Sequence, residues 1–498
     1  MGSITGRMTP EMFFIDRQDR RSLQMQLATS IISMILDTRA QPGTRLPSSR
    51  KLAEHLGLSR LTVTLVYQDL VAQGYLEALP RSGVRVSASV PQRRIGPAQT
   101  PVTGDRPIDW GEWLPRDLSA RRQIRKPRDW RSYRYPFIYG QVDPGLFDHA
   151  AWRDCARRAL SVREFTGLAD DQLAQDDPLL LDYIRKNTLP RRGISARPEE
   201  ILITLGAQNA LWIAVQLLAR PDRCAVIEEP GFPDFAAALD YARMPIRYMP
   251  TDARGLDPAQ LPEDVGLVMA TPSHNIPEGT TLPVDRRRAL LDLANARDFL
   301  IVEDDYEYEM SFLEAPSPAL KSLDGSGRVI YVGSFSKSLF PGLRIGYMVA
   351  PEPFIREARS LRAMMLRHAP GHMQRVTGYF LALGHYDAHV VRQREAFRRR
   401  REVLVAALQD TDFTIAGAAR HGGSSLWVAG PQNLDSRALG HRLAEHSVLI
   451  EEGHPFFARP PEPCPLFRMG FSAIPEGRIA EGVQIMQGVL REMTGARA

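Results

Sequence analysis

The most constraining feature of this sequence is a lysine placed just after an apolar run. Residues 329–332 are apolar and lead into a turn of small residues, where Lys337 stands beside Ser334 and Ser336 and upstream of Arg344. The run predicts a buried strand. An amine, hydroxyls and a guanidinium at one strand end can hold an aldehyde and a phosphate together. A lone turn of this kind more often carries a surface lysine, so the rest of the chain must decide.

Length and composition indicate an ordinary globular protein of several domains. A chain of 498 residues is too long for one core, and its 44% hydrophobic and 24% charged residues are typical of globular proteins. The three cysteines are widely spaced in apolar surroundings, which predicts reduced, buried thiols and a cytoplasmic setting without a metal site. No run suits a signal peptide or a membrane span, so we expect no membrane association.

The positive charge is concentrated near the N-terminus. Residues 1–90 carry eleven Lys or Arg and seven Asp or Glu, so they hold +4 of the net charge of +5. A compact basic module of this kind is typical of nucleic-acid binding.

The same region predicts a winged helix-turn-helix. A helix over residues 23–36 is followed by a serine-capped helix that stops at Gly57, and Ser59 caps another helix over residues 60–73. Residues 74–78 and 84–86 read as a two-stranded wing. In such a module the second helix of the pair places its N-terminal residues in the major groove of DNA.

This stretch resembles the winged-helix domain of the GntR family of bacterial transcription regulators. The match includes Leu-Pro-Ser-Ser-Arg at 46–50 and Leu-Gly-Leu-Ser-Arg at 56–60. Any single arginine here could instead belong to a solvated helix face, and spacing does not separate base contacts from phosphate contacts. The residues that the resemblance implies as operator DNA contacts are Arg45, Ser48, Arg50, Ser59, Arg60, Thr62, Arg81, Ser82 and Gly83.

The domain boundaries follow from composition. We predict a DNA-binding domain over residues 15–88, a flexible proline-rich linker over 89–109 and a large domain over 110–498. Two further basic stretches, residues 116–134 and 388–408, could attract DNA. For the first we favour a solvated segment packed on the large domain, and for the second an exposed helix face.

The large domain alternates strands and helices, which predicts an α/β fold with a mostly parallel sheet. Gly206, Ala207 and Gln208 open a helix after a strand, and backbone amides at such a helix start can bind phosphate. After another apolar strand, Asp304 and Tyr306 lie on one face because side chains alternate along a strand. A carboxylate for the ring nitrogen and a phenol for the ring hydroxyl are what pyridoxal phosphate requires. We therefore predict this cofactor, with Lys337 closing the internal aldimine and Ser334 and Arg344 holding the phosphate.

Residues from about 137 to 498 resemble a fold-type I aminotransferase, and the fusion behind a GntR domain resembles the MocR family of regulators. The matching segments include Glu-Pro-Gly-Phe-Pro at 229–233, Glu-Asp-Asp-Tyr at 303–306 and Ser-Phe-Ser-Lys at 334–337. The resemblance implies a domain-swapped homodimer. It also implies that Phe232 stacks on the cofactor ring, Asn275 bonds the ring hydroxyl and Arg468 binds an effector carboxylate. For Phe232 the alternative is a hydrophobic staple, and for Arg468 a structural ion pair.

Two functions follow from this resemblance. The first is a regulator that binds operator DNA and senses an amine or amino acid at Lys337. The second is a working aminotransferase with an autoregulatory DNA-binding domain. The sequence departs from the usual pattern at 175–180 and 275–280, so the resemblance does not extend to the effector contacts. Those variant loops resemble a subgroup associated with compatible solutes or taurine.

Overall fold

The chain divides into two compact units, Met1–Pro115 and Arg116–Ala498. Each unit has hydrophobic cores of its own, so each is described separately. The computed structural model describes residues 6–19, 21–37, 39–79, 83–90, 108–114, 116–417 and 420–494.

The first unit consists of helices followed by a β-hairpin. The predicted helix-turn-helix and wing are confirmed, with ends shifted by one or two residues. Most of the predicted linker lies outside the described residues. The elements are α1 (Leu23–Leu36), α2 (Ser49–Leu56), α3 (Arg60–Ala72), β1 (Leu76–Leu79), β2 (Gly83–Val86) and the short α4 (Trp110–Trp113).

Local chemistry fixes the turn between α2 and α3. The hydroxyl of Ser48 accepts a hydrogen bond from the amide of Lys51 at 3.3 Å, and that of Ser59 accepts from the amide of Thr62 at 3.0 Å. Between them Gly57 takes a left-handed conformation with φ of 62°, which a residue without a side chain adopts at no steric cost. These contacts set the start of each helix and the reversal of the chain.

Helices α1, α2 and α3 pack their apolar sides together in one core. Leu27, Ile31, Leu52, Val63 and Leu70 are all completely buried. Burying a side chain of this size contributes about 1.5–3 kcal/mol. The first turn of α3 is therefore held on this core, with Arg60 exposed and Thr62 half-buried.

The second unit contains the remaining elements. Its helices are α5 (His149–Ala159), α6 (Val162–Ala169), α7 (Pro178–Tyr183), α8 (Gly206–Leu218), α9 (Pro233–Tyr241), α10 (Val284–Arg297), α11 (Glu352–Leu366), α12 (Gly371–Ala382), α13 (His385–Gln409), α14 (Ser436–Glu445) and α15 (Glu476–Thr494). Its strands are β3 (Tyr135–Pro136), β4 (Ile201–Thr204), β5 (Cys224–Glu229), β6 (Ile246–Asp252), β7 (Gly255–Leu256), β8 (Val265–Ala270), β9 (Leu300–Asp304), β10 (Val329–Ser334), β11 (Gly346–Val349), β12 (Thr414–Ile415), β13 (Ser425–Ala429), β14 (Val448–Leu449), β15 (Glu451–Glu452) and β16 (Leu466–Gly470).

An eight-stranded sheet organises this unit, in the order β4-β11-β10-β9-β8-β5-β6-β7. The five strands from β10 to β6 are parallel, and β4, β11 and β7 join antiparallel at the two edges. The predicted mostly parallel sheet is confirmed. Because parallel strands end at one edge, the segments after β5, β9 and β10 meet there.

Helices cover both faces of the large sheet, as a sheet with parallel central strands requires. Helices α8, α9 and α11 pack on one face, and α10 packs on the other. A second, antiparallel sheet has the order β12-β13-β16-β15, and in it Glu451 stands directly opposite Arg468. Long helices α13 and α15 pack against each other beside it.

Residues 116–134 form a basic strap that packs on the second unit, as expected. Arg121 pairs with Asp234 at 3.2 Å, and the guanidinium of Arg122 donates to the hydroxyl of Tyr248 at 3.2 Å. Arg134 pairs with Glu481 at the other end. The strap is therefore fastened to the large unit by ion pairs and hydrogen bonds.

The basic helix α13 is only partly the exposed face that we expected. Arg398 is half-buried and Arg399 is exposed, and both pair with Glu395. Arg400 instead is buried, where it pairs with Asp143 and donates to the carbonyl of Ser472 at 2.7 Å. The pattern of charges along one helix does not show which arginine finds partners on other elements.

The predicted burial of Cys155, Cys224 and Cys464 is confirmed, and all three are free thiols. Within the described ranges, no helix combines the length and the apolar character that crossing a membrane demands.

Candidate functional site

A cavity of about 270 Å³ lies where the parallel strands of the large sheet end. Gly206 and Asn275 do not line it, but each adjoins in sequence a residue that does. The predicted residues that line it are Ala207, Gln208, Phe232, Asp304, Tyr306, Ser334, Lys337, Arg344 and Arg468.

Lys337 lies in the turn after β10 with its amine inside the cavity. The Nζ atom is 4.1 Å from the centre of the Tyr139 ring. Gly140 approaches so closely that a Cβ there would be 2.4 Å from Nζ. Burial lowers the pKa of Lys337 to about 8, against the opposing charge of Glu307. A larger fraction of the amine is therefore neutral near pH 8, the form that attacks a carbonyl carbon.

Asp304 ends β9 and lines the same cavity with its carboxylate. It is buried, and its Oδ1 finds no hydrogen-bond partner within the described chain. Burial and the neighbouring Asp305 raise the pKa of Asp304 to about 7. Tyr306 lines the cavity as well, as the two-residue period predicts, and burial raises the pKa of its phenol well above the usual value. The phenol therefore stays protonated and able to donate.

A cradle for an anion lies at the start of α8. Arg344 has a left-handed backbone with φ of 54°, and its Nη2 donates to the carbonyl of Leu205 at 2.9 Å. A Cβ on Gly206 would lie 2.9 Å from that Nη2 and would displace the guanidinium, and the φ of 76° at this position also favours glycine. Helix amides and a guanidinium together suit a phosphate.

Phe232 stands at the start of α9 and lines the cavity with a half-buried ring. It also contacts Phe235 edge to face, with ring centres 5.5 Å apart. The same ring is thus available to a bound aromatic group and to the packing of its own helix.

Arg468 lines the cavity from β16. Its Nε donates to Glu451 at 2.7 Å, and its guanidinium carbon is 4.0 Å from the centre of the Tyr139 ring and 4.9 Å from that of Phe456. Glu451 also accepts from the amide of Tyr139 at 3.2 Å. Arg468 both pairs with Glu451 and lines the cavity, so a structural ion pair does not exclude contact with an effector carboxylate.

Several cavity residues were not among the predicted ones. Ser336 could have been found, because it stands in the same turn as Ser334, and its buried hydroxyl has no partner in the described part of the chain. Tyr139, Glu451, Ile124 and Lys126 come from distant segments without a recognisable pattern.

The unusual segment 175–180 lies outside this cavity. Asp176 forms ion pairs with Arg359 at 2.8 Å and with Arg362 at 2.5 Å, and Asp177 caps α7. Both carboxylates therefore stabilise the unit internally. Neither contributes to the cavity wall of this chain.

The unsatisfied polar atoms allow a test of whether pyridoxal phosphate fits. Among the described residues, Asp304 Oδ1, Ser336 Oγ, the Tyr139 hydroxyl and Asn275 Oδ1 are buried without a partner. Each such atom costs about 1–3 kcal/mol. A protonated ring nitrogen and a phosphate would satisfy Asp304 and Ser336, so the donor set fits this cofactor.

A second candidate site is the start of α3 in the first unit. Arg45, Arg50 and Arg60 are exposed, and their side chains form no hydrogen bond or ion pair with the residues that the structure describes. Ser48 and Ser59 use their hydroxyls as helix caps, and Thr62 is half-buried beside Ser59. Gly83 starts β2, whereas Arg81 and Ser82 lie outside the described residues.

Both units match known families. Residues 173–485 match the model described as aminotransferase class I and II, and residues 23–86 match bacterial regulatory proteins of the gntR family.

Two regulators are similar to most of this chain. The HTH-type transcriptional regulator TauR of Rhodobacter capsulatus is 51% identical over 97% of this chain and 99% of its own. The probable rhizopine catabolism regulatory protein MocR of Rhizobium meliloti is 31% identical over 79% of each chain. Among solved structures, the α-aminoadipate aminotransferase LysN of Thermus thermophilus superposes with a TM-score of 0.70 at 25% identity, covering 78% of this chain and 100% of its own.

Proposed function

The chain belongs to the MocR-type GntR regulators, in which a helix-turn-helix domain precedes an aminotransferase-like domain, and from that premise we propose that it senses an amine through pyridoxal phosphate held at Lys337. As a member of this group it is a transcriptional regulator. The proposal concerns the signal that it reads and the residues that read it.

One observation carries the proposal. A buried lysine with a lowered pKa, a buried carboxylate without a partner and a buried hydroxyl without a partner in the described chain line a single cavity. Burial of uncompensated polar groups is costly and marks sites that bind a ligand.

The residues have separate tasks in holding the cofactor. When bound, pyridoxal phosphate supplies an electrophilic carbon and an electron-withdrawing ring. Lys337 would hold that carbon through its amine, and Asp304 would keep a proton on the ring nitrogen. Tyr306 and Asn275 would bond the ring oxygen, and Phe232 would cover the ring. The phosphate would be held by Ser334, Ser336, Arg344 and the amides of Gly206, Ala207 and Gln208.

The effector is an amine that also carries an acid group. Its nitrogen would compete with Lys337 for the electrophilic carbon, which frees the lysine amine. Its acid group would lie against the terminal nitrogens of Arg468, whose Nε is already held by Glu451. A guanidinium fixed from one side presents a preorganised fork to an acid.

The output is binding of operator DNA in the cytoplasm. Arg45, Arg50, Arg60 and Thr62 at the start of the reading helix, with the wing of Arg81, Ser82 and Gly83, would contact the duplex. A head-to-tail homodimer would present two such helices to spaced half-sites. Effector binding would favour one arrangement of the dimer and so change operator occupancy.

An active aminotransferase is the second candidate. Lys337, Asp304, Tyr306 and Arg344 line one cavity, and this set would also support transfer of an amino group. Turnover would release a keto product from the effector, whereas sensing needs binding alone.

One experiment separates the two candidates. The full-length protein loaded with pyridoxal phosphate is footprinted on the promoter upstream of its own gene, with and without a panel of amines, while keto products are assayed. We expect at least one amine to alter the footprint of the wild type and none to alter that of Lys337→Ala. Rapid keto product formation by a protein that leaves the promoter unprotected would favour the enzyme.

A further inference from the structure

The basic strap supplies one wall of the cavity. Ile124 packs in the apolar cluster that contains Tyr306 and Phe456, and Lys126 lines the cavity two residues later. On either side, the strap is held to the unit by the contacts of Arg121 with Asp234 and of Arg134 with Glu481. Lys126 is therefore brought to the cavity by a segment that is fixed at both ends.

Lys126 differs from Arg344 and Arg468, the other two basic side chains besides Lys337 that line the cavity, in having no hydrogen bond or ion pair within the described chain. The carboxylate of Glu451 already offsets Arg468 at 2.7 Å. Asp304 would be engaged by the ring nitrogen of a bound cofactor, and Arg344 by its phosphate. Lys126 is exposed, and its side chain has no ion pair or hydrogen bond in the part of the chain that the structure describes. Lys126 is thus a cation at the cavity that pairs with no side chain among the described residues.

The position of Lys126 is also close enough to act on the lysine amine. Burial is the main cause of the lowered pKa of Lys337, and the positive charges of Arg468 and Lys126 act in the same direction. An anion placed between Arg468 and Lys126 would therefore meet two cations on opposite elements, one on β16 and one on the strap.

We propose that Lys126 is a second binding residue for the acid group of the effector, acting together with Arg468. This rests on the proposed function, since it concerns the same cavity. The strap begins at Arg116, the residue that follows the unit containing the helix-turn-helix. An amine with a carboxylate or sulfonate thus holds the strap against the cavity, whereas an amine without an acid group does not.

The test compares the binding of amines with and without an acid group to three proteins loaded with pyridoxal phosphate. Wild type, Lys126→Ala and the control Arg125→Ala are titrated with taurine, β-alanine and ethanolamine, followed by visible absorbance and calorimetry. Arg125 is the neighbouring exposed cation, but it does not line this cavity. Loss of one charge contact with the acid group is expected to raise the apparent Kd of Lys126→Ala for taurine or β-alanine about tenfold. The Kd for ethanolamine stays unchanged, and Arg125→Ala behaves as the wild type.

A second readout follows the strap itself. Tryptic cleavage after Arg121 and Arg125 is timed by mass spectrometry with saturating taurine, β-alanine, ethanolamine or inorganic sulfate. We expect the acidic amines to slow cleavage at least twofold in the wild type and to leave Lys126→Ala unaffected. Such protection of the strap would not arise from a purely structural role of Lys126.

The outcomes separate this proposal from the proposed function. If no amine alters the absorbance of the wild type, sensing at Lys337 fails, yet protection of the strap by taurine or sulfate that depends on Lys126 would still support the anion contact. If Lys126→Ala loses as much affinity for ethanolamine as for taurine and β-alanine, the proposed role of Lys126 is overturned. Unchanged binding and protection in Lys126→Ala also overturns it, as does the absence of any protection in the wild type.

Discussion

In the cavity, Asp304 and Ser336 are buried with polar atoms that find no partner in the described chain, whereas in the first unit Arg50 and Arg60 stand in solvent. The polar atoms of the cavity are buried and lack partners from the described chain, so a small ligand that satisfies them gains hydrogen bonds that those residues do not supply. The arginines keep their water and offer charge alone. Ligand affinity at the buried cavity should therefore depend on pH and on the identity of single side-chain atoms. DNA affinity at the exposed surface should depend on the salt concentration.

The largest expected effect tests the buried side of this contrast. Asp304→Asn keeps the shape of the side chain but removes the charge that would pair with the ring nitrogen. Breaking a buried ion pair costs about 3–5 kcal/mol, so the affinity for pyridoxal phosphate should fall at least about a hundredfold. Equilibrium titration of the apoprotein measures this. The exposed Asp222→Asn serves as control, and retention of wild-type affinity by Asp304→Asn would contradict the assignment.

The pH dependence of the apoprotein sharpens the same point. The pKa of Asp304 is raised to about 7 from 3.8, mainly by burial. Between these values the folded state binds more protons than the unfolded state, so the contribution to stability is complete below pH 4 and is lost as the pH rises through 7. From pH 5 to pH 8, the wild type should lose about 2–3 kcal/mol relative to Asp304→Asn.

Thermal unfolding of both apoproteins at the two pH values measures this difference. Parallel losses in the two proteins would show that Asp304 is not the titrating group.

A smaller effect tests the exposed side. Arg50→Ala and Arg60→Ala should each weaken operator binding about tenfold, and loss of one phosphate contact should lower the salt slope of the affinity by about 1. The visible absorbance of the cofactor-loaded protein should stay unchanged. Binding is measured by fluorescence anisotropy across a salt series, with the exposed Arg39→Ala as control. An affinity equal to wild type at every salt concentration would remove that arginine from the interface.

The smallest effect separates capping from DNA contact at one residue. Ser59→Ala removes the side-chain acceptor for the amide of Thr62 and should cost the first unit about 1 kcal/mol of stability. Ser59→Asp restores a capping acceptor but adds a negative charge, so it should keep the stability and lose operator affinity. If Ser59→Asp binds DNA as the wild type does, Ser59 acts only as a cap.

The two regions also differ in how far the sequence predicts them. The helix-turn-helix was predicted to within one or two residues because Ser48, Gly57 and Ser59 act on neighbours in the chain. The sequence predicts that Lys337, Asp304 and Tyr306 share a site because the lysine lies in a small-residue turn after one apolar strand and the other two lie on one face at the end of another, and all three line one cavity.

The remaining cavity residues depend on contacts that no local pattern records. Glu451 reaches Arg468 only through the register of β15 and β16, and Lys126 arrives on a strap far away in sequence. The burial of Arg400 likewise depends on Asp143, which lies on another segment. Pairings between distant elements are set by the packing of the folded chain, so local sequence patterns do not predict them.

The register of the small sheet has a consequence for engineering. Glu451 and Arg468 face each other across β15 and β16, while the predicted cofactor residues belong to the strand ends and helix start of the large sheet. A shift of one residue would turn a side chain to the opposite face of the sheet. Substituting Glu451, Arg468 and Lys126 should therefore change which amines a biosensor made from this protein detects. The visible absorbance of its cofactor and the operator sequence that it binds should stay unchanged.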